Sequence, residues 1–191
     1  MSDLTTFLRL IGETVTQPAQ MAGRIMARPY DRGTLWMGVT LVSILSVLLI
    51  QILQVITPFT MPMGFTPLLY GLVMGCILII LTMGLYLTGQ MLGGQGTFTH
   101  SFALVIWLEV TALTFRVVQA VVGFISPGIS GLLSFAGLIA LLWIFLNFVN
   151  EVHKFNSFGR AFATIVIAIF GIGFGFGLFL SVIGVSAQLE I

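Results

Sequence analysis

The sequence predicts an all-α membrane protein in which a short amphipathic interfacial helical segment precedes five transmembrane helices. Two observations lead to this prediction, namely five long runs of apolar residues and a low content of charge. Hydrophobic residues make up 58% of the 191 residues and charged residues only 7%, whereas a soluble domain carries about 25% charged residues. A bilayer rather than water is therefore the expected solvent for most of the chain.

The amphipathic segment covers residues 1–32. Apolar residues recur there every three or four positions from Leu4 to Val15, and charged residues take the other side. A helix of this kind lies in the interface with its apolar face toward the acyl chains and its arginines at headgroup level. We therefore expect Arg24 and Arg28 to lie at the membrane surface. The alternative is that the segment packs on a neighbouring subunit.

Five apolar runs follow the amphipathic segment. Each is longer than the about 20 residues that cross about 30 Å of hydrocarbon as a helix. Their apolarity is continuous, whereas the strands of a membrane β-barrel alternate apolar and polar residues. The predicted spans are 34–56, 67–91, 101–125, 129–149 and 160–184.

Basic residues outside the spans predict the orientation, because cytoplasmic loops are enriched in lysine and arginine. Four arginines precede the first span, and Lys154 and Arg160 lie between the fourth and the fifth. The loops at 57–66 and 126–128 carry no charge. With five spans, this distribution places the N-terminus in the cytoplasm and the C-terminus on the other side of the membrane.

Two charged residues, Glu109 and Arg116, lie within the third span. A charge near the bilayer centre costs about 2.5–3.5 kcal/mol on insertion scales, so the pair is the best functional clue in the sequence. The two residues lie two turns apart on roughly one helix face, about 10 Å along the axis. Side chains lean toward the helix N-terminus, so Glu109 leans away from Arg116 and we expect their ion pair to be marginal. Thr82 and Tyr86 of the second span are the expected partners of Glu109.

Two glutamines of the first span, Gln51 and Gln54, lie at the same predicted depth as Arg116 and Gln119 of the third. If these spans touch, Arg116 would donate a hydrogen bond to Gln51. Together with Glu109 these residues would form an intramembrane polar cluster. The cluster could be a polar pocket that opens outward. It could also be interhelical hydrogen bonding, worth about 0.6–2 kcal/mol per bond, which is the interpretation we favour.

Glycines repeat every fourth position in two spans. Such small residues let helix backbones approach closely, so we expect them to serve helix packing. They are Gly71 and Gly75 in the second span, and Gly171, Gly173, Gly175 and Gly177 in the fifth.

The sequence contains no recognisable catalytic, cofactor or metal site. Cys76, His100 and His153 are too few and too far apart for a metal constellation. His153 lies near charged residues, where a solvated or interfacial position is the expectation. The glycine-rich run at 93–96 lacks the lysine and the serine or threonine of a phosphate-binding loop. We therefore expect no enzyme activity, no cofactor and no nucleic-acid partner.

The order of these features resembles the YIP family, membrane proteins named for their Ypt/Rab-interacting members, in its bacterial form. The likeness covers nearly the whole chain and includes the run GGQGTF at 93–98. It is clearest at 150–155, NEVHKF, which is followed by Ser157 and Arg160. The resemblance implies a five-helix transmembrane domain, here 33–191, with a cytosolic N-terminus and a distal C-terminus.

Eukaryotic relatives act with small GTPases in vesicle trafficking, and they carry a longer cytosolic region with an acidic-aromatic-Gly-Pro motif. This sequence lacks that motif, so we do not expect a small GTPase as its partner. No targeting sequence points to an organelle. A bacterial inner membrane, with the C-terminus in the periplasm, is therefore the expected location.

Two functional hypotheses follow. The first is a membrane scaffold or accessory protein that associates with itself or with a larger membrane complex through its glycine faces and its amphipathic segment. The alternative is a small transporter or channel that uses the polar cluster around Glu109 and Arg116. A water-accessible cavity that reaches Glu109 would favour the alternative, and a dry interior would favour the scaffold.

Overall fold

The computed structural model describes residues 2–56 and 66–182, and every regular element in this part of the chain is an α-helix. Five of these helices, α3 to α7, are long and apolar enough to cross a membrane, which confirms the predicted class. The elements are α1 (Ser2–Thr16), α2 (Pro18–Met26), α3 (Arg32–Ile56), α4 (Pro67–Met91), α5 (Phe98–Ile125), α6 (Pro127–His153) and α7 (Phe158–Val182).

Some sequence predictions concern residues that the structure does not describe. They include most of the uncharged loop at 57–66 and the last two residues of the fifth predicted span, 183–184. The C-terminal tail, with its predicted position across the membrane, also lies outside the described residues.

Hydroxyl residues cap the starts of α4, α5 and α6. Thr66, Thr97 and Ser126 each accept a hydrogen bond from the backbone N–H three residues later, at 3.2 to 3.4 Å. These bonds satisfy backbone donors that have no partner within the helix. Pro67 and Pro127 take the first helical position of α4 and α6, where a missing N–H costs nothing. Local sequence therefore determines where these three helices begin.

Asp31 plays the same part for α3. Its carboxylate accepts hydrogen bonds from the Thr34 hydroxyl and from the Thr34 backbone N–H, the latter at 3.2 Å. These two bonds hold the pKa of the Asp31 carboxyl below its usual value, because they favour the ionised form. The cap begins the first span two residues before the predicted start.

Three of the other long helices pack against α5, and the fourth packs against two of these three. Helix α5 contacts α3, α4 and α6, while α7 packs against α4 and α6. Most buried side chains lie where α3, α5 and α7 begin and where α4 and α6 end. We call this part of the bundle, on which α2 also packs, the closed half. The opposite part, where α5 ends and α6 begins, is called the open half.

The amphipathic segment packs on the bundle of its own chain. Met21, Ala22 and Ile25 of α2 are buried in a cluster with side chains of α5 and α6. Thr14 of α1 is fully buried, and its hydroxyl accepts a hydrogen bond from the Trp107 indole N–H at 3.0 Å. The segment therefore contributes to the core of the closed half, which neither interpretation of the sequence included.

The arginines of this segment remain at its surface. Arg24 forms an ion pair with Glu13, which joins α2 to α1. Arg28 is exposed just after α2, as are the side chains of Leu4 and Leu8 on α1. Contact between these side chains and lipid headgroups or acyl chains stays a prediction.

Candidate functional site

Arg116 and Glu109 form a direct ion pair. The Arg116 Nη1 donates to the Glu109 Oε1 at 2.7 Å, so the expectation of a marginal pair is wrong. A long arginine side chain that leans toward the helix N-terminus is able to cross two turns by itself. Glu109 also accepts from the Ser46 hydroxyl of α3 at 3.4 Å. Ser46 takes the place expected for Thr82, whose hydroxyl instead donates to the Leu78 carbonyl at 2.7 Å.

The two members of the pair differ in exposure. The Glu109 side chain is 12% exposed, whereas the Arg116 side chain is 45% exposed. An arginine stays charged and carries five N–H donors. Among the hydrogen bonds of the described residues, Arg116 makes one side-chain bond, to Glu109. The pair therefore presents the cation and shields the carboxylate.

A cavity of about 690 Å³ lies next to Arg116 in the open half. Residues of α5 form its floor, and α3, α6 and the start of α4 form its walls. Apolar walls with a few polar groups are typical of ligand sites of this size. The polar lining residues are Ser46, Tyr70, Arg116, Gln119, Ser130 and Ser134.

Gln119 hydrogen-bonds to α6 rather than to α3. Its Nε2 donates to the Leu133 carbonyl at 3.5 Å, and its backbone carbonyl accepts from the Ser130 hydroxyl at 2.9 Å. A Cβ added at Gly137 would lie 2.9 Å from the Gln119 Nε2. Gly137 therefore provides the space in which this glutamine lies against α6.

The hydrogen bond that the sequence predicts between Arg116 and Gln51 is not among those of the described residues. Gln51 and Gln54 are half-buried on α3, and neither is among the described residues that line the cavity. The described partner of Arg116 is Glu109, not Gln51. Equal depth in two helices does not determine which way each side chain points. The α3 residue at the site is Ser46, which sequence reasoning missed because a serine within an apolar span is common.

The glycines marked in the sequence lie in two different settings. A Cβ at Gly71 would lie 3.0 Å from Val47, and one at Gly75 would lie 3.4 Å from Ser43, so both are in close contact with α3. Around the four glycines of α7 between 171 and 177, no described atom lies within 4 Å of an added Cβ. These four are Gly171, Gly173, Gly175 and Gly177.

His153 is buried in the closed half, so the expectation that it is solvated or interfacial is wrong. The residue is only 1% exposed. Its ring lies against Gly89, Gly94 and Gly96, where an added Cβ would approach imidazole atoms to 2.7 Å or less. The ring also stacks on Phe155, with 5.2 Å between the ring centroids. We call this arrangement the histidine enclosure.

Two sequence motifs come together at the histidine enclosure. The glycines at 93–96 and the segment at 150–155 carry the family resemblance, and they are joined by a hydrogen bond from the Gln95 N–H to the His153 carbonyl at 3.0 Å. Lys154 and Asn156 adopt left-handed conformations, with φ of 52° and 50°, which fold Phe155 back toward the bundle. The signal that could have predicted the enclosure was the pairing of a glycine-rich loop with an isolated histidine at the same membrane boundary.

The family assignment rests on a comparison with known families. A family model described as the Yip1 domain matches residues 12–180. No curated protein and no solved structure matches the chain. The match runs from α1 into the last turns of α7 and includes both motifs of the histidine enclosure. This chain therefore belongs to the Yip1-domain family, as a multi-pass membrane protein.

Proposed function

We propose that this chain is a non-enzymatic scaffold or accessory protein of a bacterial inner membrane, and that it acts by associating through α7 with itself or with a larger membrane complex. The observation behind the proposal is the difference between the two parts of α7. Ala161, Thr164 and Ala168 are buried against the bundle. Beyond Ala168, every residue of α7 whose side chain is described is half-buried or exposed.

The exposed part of α7 is rich in glycine. A glycine in a helix is less favourable than an alanine by about 1 kcal/mol, and α7 carries four between 171 and 177. The cost is offset when a second helix packs closely on the glycine face. Phe170, Phe174 and Phe176 are exposed beside these glycines and would add contact area to such an interface.

The test is a pair of bulky substitutions on one face of α7. Gly173→Ile together with Gly177→Ile should prevent close helix contact. We therefore expect self-association, or the recovery of co-purifying membrane proteins, to fall about tenfold. Gly131→Ile on α6 is the matched control, because its Cβ also meets open space among the described atoms. Cross-linking in native membranes, followed by purification in mild detergent, measures both forms of association. Unchanged association in the α7 variant would contradict the proposal.

The proposal includes an orientation with the N-terminus in the cytoplasm. The basic residues of the amphipathic segment and of the turn between α6 and α7 support it. Pro62→Cys and Gly159→Cys, each in a Cys76→Ser background, should differ in labelling by an impermeant thiol reagent on intact cells. Labelling at 62 and protection at 159 is the expected result, and the reverse would overturn the orientation.

A second candidate is a small transporter or channel that uses Glu109 and Arg116. The cavity beside Arg116 favours it. Against it, Glu109 is not among the described residues that line the cavity, and buried side chains such as Leu78, Leu85 and Val105 fill the closed half. If the protein has this function, proteoliposomes that contain it should show a flux of protons or solute, and Glu109→Gln should abolish that flux. Equal flux with the wild type, the variant and empty liposomes would exclude it.

A further inference from the structure

Arg116 has more hydrogen-bond donors than the described protein groups use. Its Nη1 donates to Glu109, and nearly half of its side chain surface remains accessible beside the cavity. Because the guanidinium has five N–H donors and stays charged, the other donors need acceptors. The carboxylate of Glu109 does not line the cavity among the described residues. A negatively charged group in the cavity would therefore meet the cation first.

The depth of Arg116 in the membrane restricts what the acceptor can be. Arg116 lies nine residues before Ile125, the last residue of α5, which is about 13 Å along the axis. The 28 residues of α5 are about 42 Å long, against about 30 Å of hydrocarbon. If α5 is centred in the bilayer, the arginine lies about 7 Å below the hydrocarbon boundary. An exposed charge at that depth requires a polar partner.

The cavity lies between helices that border on lipid. Both α3 and α6 pack along α5, and the cavity occupies the space between them. Leu49, Leu53 and Phe124 line it with apolar surface, while Tyr70 and Gln119 add polar groups to the lining. Its volume of about 690 Å³ is far larger than a phosphate ion needs and fits a site for an amphiphile.

We propose that the open half binds a phospholipid in this cavity, with the lipid phosphate on the Arg116 guanidinium and an acyl chain along the apolar wall. Arginine binds phosphate with paired N–H donors, and such charge-assisted hydrogen bonds are about twice as strong as neutral ones. The headgroup would have to enter the membrane by little more than one helical turn. The proposal is independent of association through α7.

Lipid retention by the purified full-length chain tests the proposal. Protein stripped of lipid in mild detergent is incubated with dioleoyl phosphatidic acid or with dioleoylglycerol, which has the same acyl chains and no phosphate. Native mass spectrometry then counts the lipids that remain bound. The wild type should retain the phosphatidic acid and release the dioleoylglycerol. Equal retention of the two lipids would show that the phosphate does not contribute to binding, and it would overturn the proposal. This comparison uses the wild-type protein alone.

Two variants at the cavity and one control variant locate the site. Arg116→Gln should weaken binding of phosphatidic acid about tenfold or more, because charged hydrogen bonds are lost. Arg160→Gln removes the same charge from an exposed residue at the start of α7 and should bind as the wild type does. Ala120→Phe fills the cavity and leaves the ion pair in place, so it should also reduce binding, with an unchanged melting temperature.

Two further outcomes would overturn the proposal. One is that Arg116→Gln and Ala120→Phe both bind phosphatidic acid as tightly as the wild type does, which would place the lipid elsewhere. The other is displacement of phosphatidic acid by inorganic phosphate at an equal concentration, which would make the ligand a soluble anion. If inorganic phosphate fails to displace the lipid, the acyl chain contributes to binding as proposed.

Discussion

The closed half and the open half of the bundle use glycine in opposite ways. In the closed half, Gly89, Gly94 and Gly96 leave space that the His153 ring fills completely. In the open half, the four glycines of α7 between 171 and 177 leave space that no described atom of the chain occupies. The first set thus serves the fold of this chain, and the second is available to another molecule. The two sets of glycines are distinguished by the atoms that an added Cβ would contact. The spacing of the glycines in the sequence does not distinguish them.

Polar groups differ between the halves in the same way. In the closed half, the Trp107 indole finds Thr14, and the Asn147 amide donates to the Trp143 carbonyl at 2.8 Å. In the open half, Arg116 uses one donor on Glu109 and presents the remainder to a cavity. The unpartnered polar atoms described in the closed half, the Ser43 hydroxyl and both ring nitrogens of His153, are enclosed by protein, whereas Arg116 in the open half borders a cavity.

The largest expected effect is that of Gly89→Ala. The new methyl group would overlap the His153 ring, and overpacking of this kind costs about 3 kcal/mol or more where neither side is able to move. Gly171→Ala on α7 is the matched control and should be neutral or stabilising by up to about 1 kcal/mol, since its Cβ meets open space. Thermal unfolding in detergent compares the two. Similar melting temperatures for both variants would remove the distinction between the halves.

A double substitution sharpens the test of the histidine enclosure. His153→Ala alone should destabilise the protein, because it empties a buried space. In the double variant with Gly89→Ala, the imidazole ring that would clash with the new methyl group is absent. The double variant should therefore be more stable than the sum of the single effects predicts, by about 1–3 kcal/mol. Strict additivity would mean that these two residues do not touch.

A smaller effect is expected for Thr14→Val. The substitution keeps the shape of the side chain and leaves the Trp107 indole N–H without its partner, at a cost of about 1–2 kcal/mol. Thr16→Val is the control, because the exposed Thr16 hydroxyl bonds only to the Gly12 carbonyl of its own helix. Protease accessibility of α1, together with the melting temperature, measures the loss. Equal effects of the two changes would show that α1 is not fastened through Trp107.

The smallest effect is expected for Ser46→Ala. The Ser46 hydroxyl lies 3.4 Å from the Glu109 carboxylate, so its bond is weak, and Arg116 remains as the main partner. We expect a loss of stability of about 0.5 kcal/mol. Denaturant unfolding of the variant beside Ser43→Ala, whose hydroxyl has no hydrogen-bond partner in the described structure, provides the comparison. A loss above about 2 kcal/mol would mean that α3 holds the ion pair more tightly than the geometry indicates.

The sequence by itself determined the fold class and most helix limits of this protein. The second span was predicted at 67–91, and α4 runs over the same residues. The third and fourth spans were predicted too short, because Thr97 caps α5 and Pro127 begins α6 beyond the most apolar residues. Hydrophobicity, caps and first-turn prolines act within a few residues of one another, so they can be recognised in the chain before it folds.

Only the tertiary structure decided which side chains meet. Glu109 could have paired with residues of α4, and Arg116 with Gln51, at no cost to the hydrophobic pattern of any span. The order of helices around α5 and the rotation of each helix instead brought Ser46 to the ion pair and His153 to the glycine loop. Lipid solvates every apolar face almost equally, so hydrophobicity does not set these rotations. Close packing and hydrogen bonding between helices set them, and both depend on residues far apart in the chain.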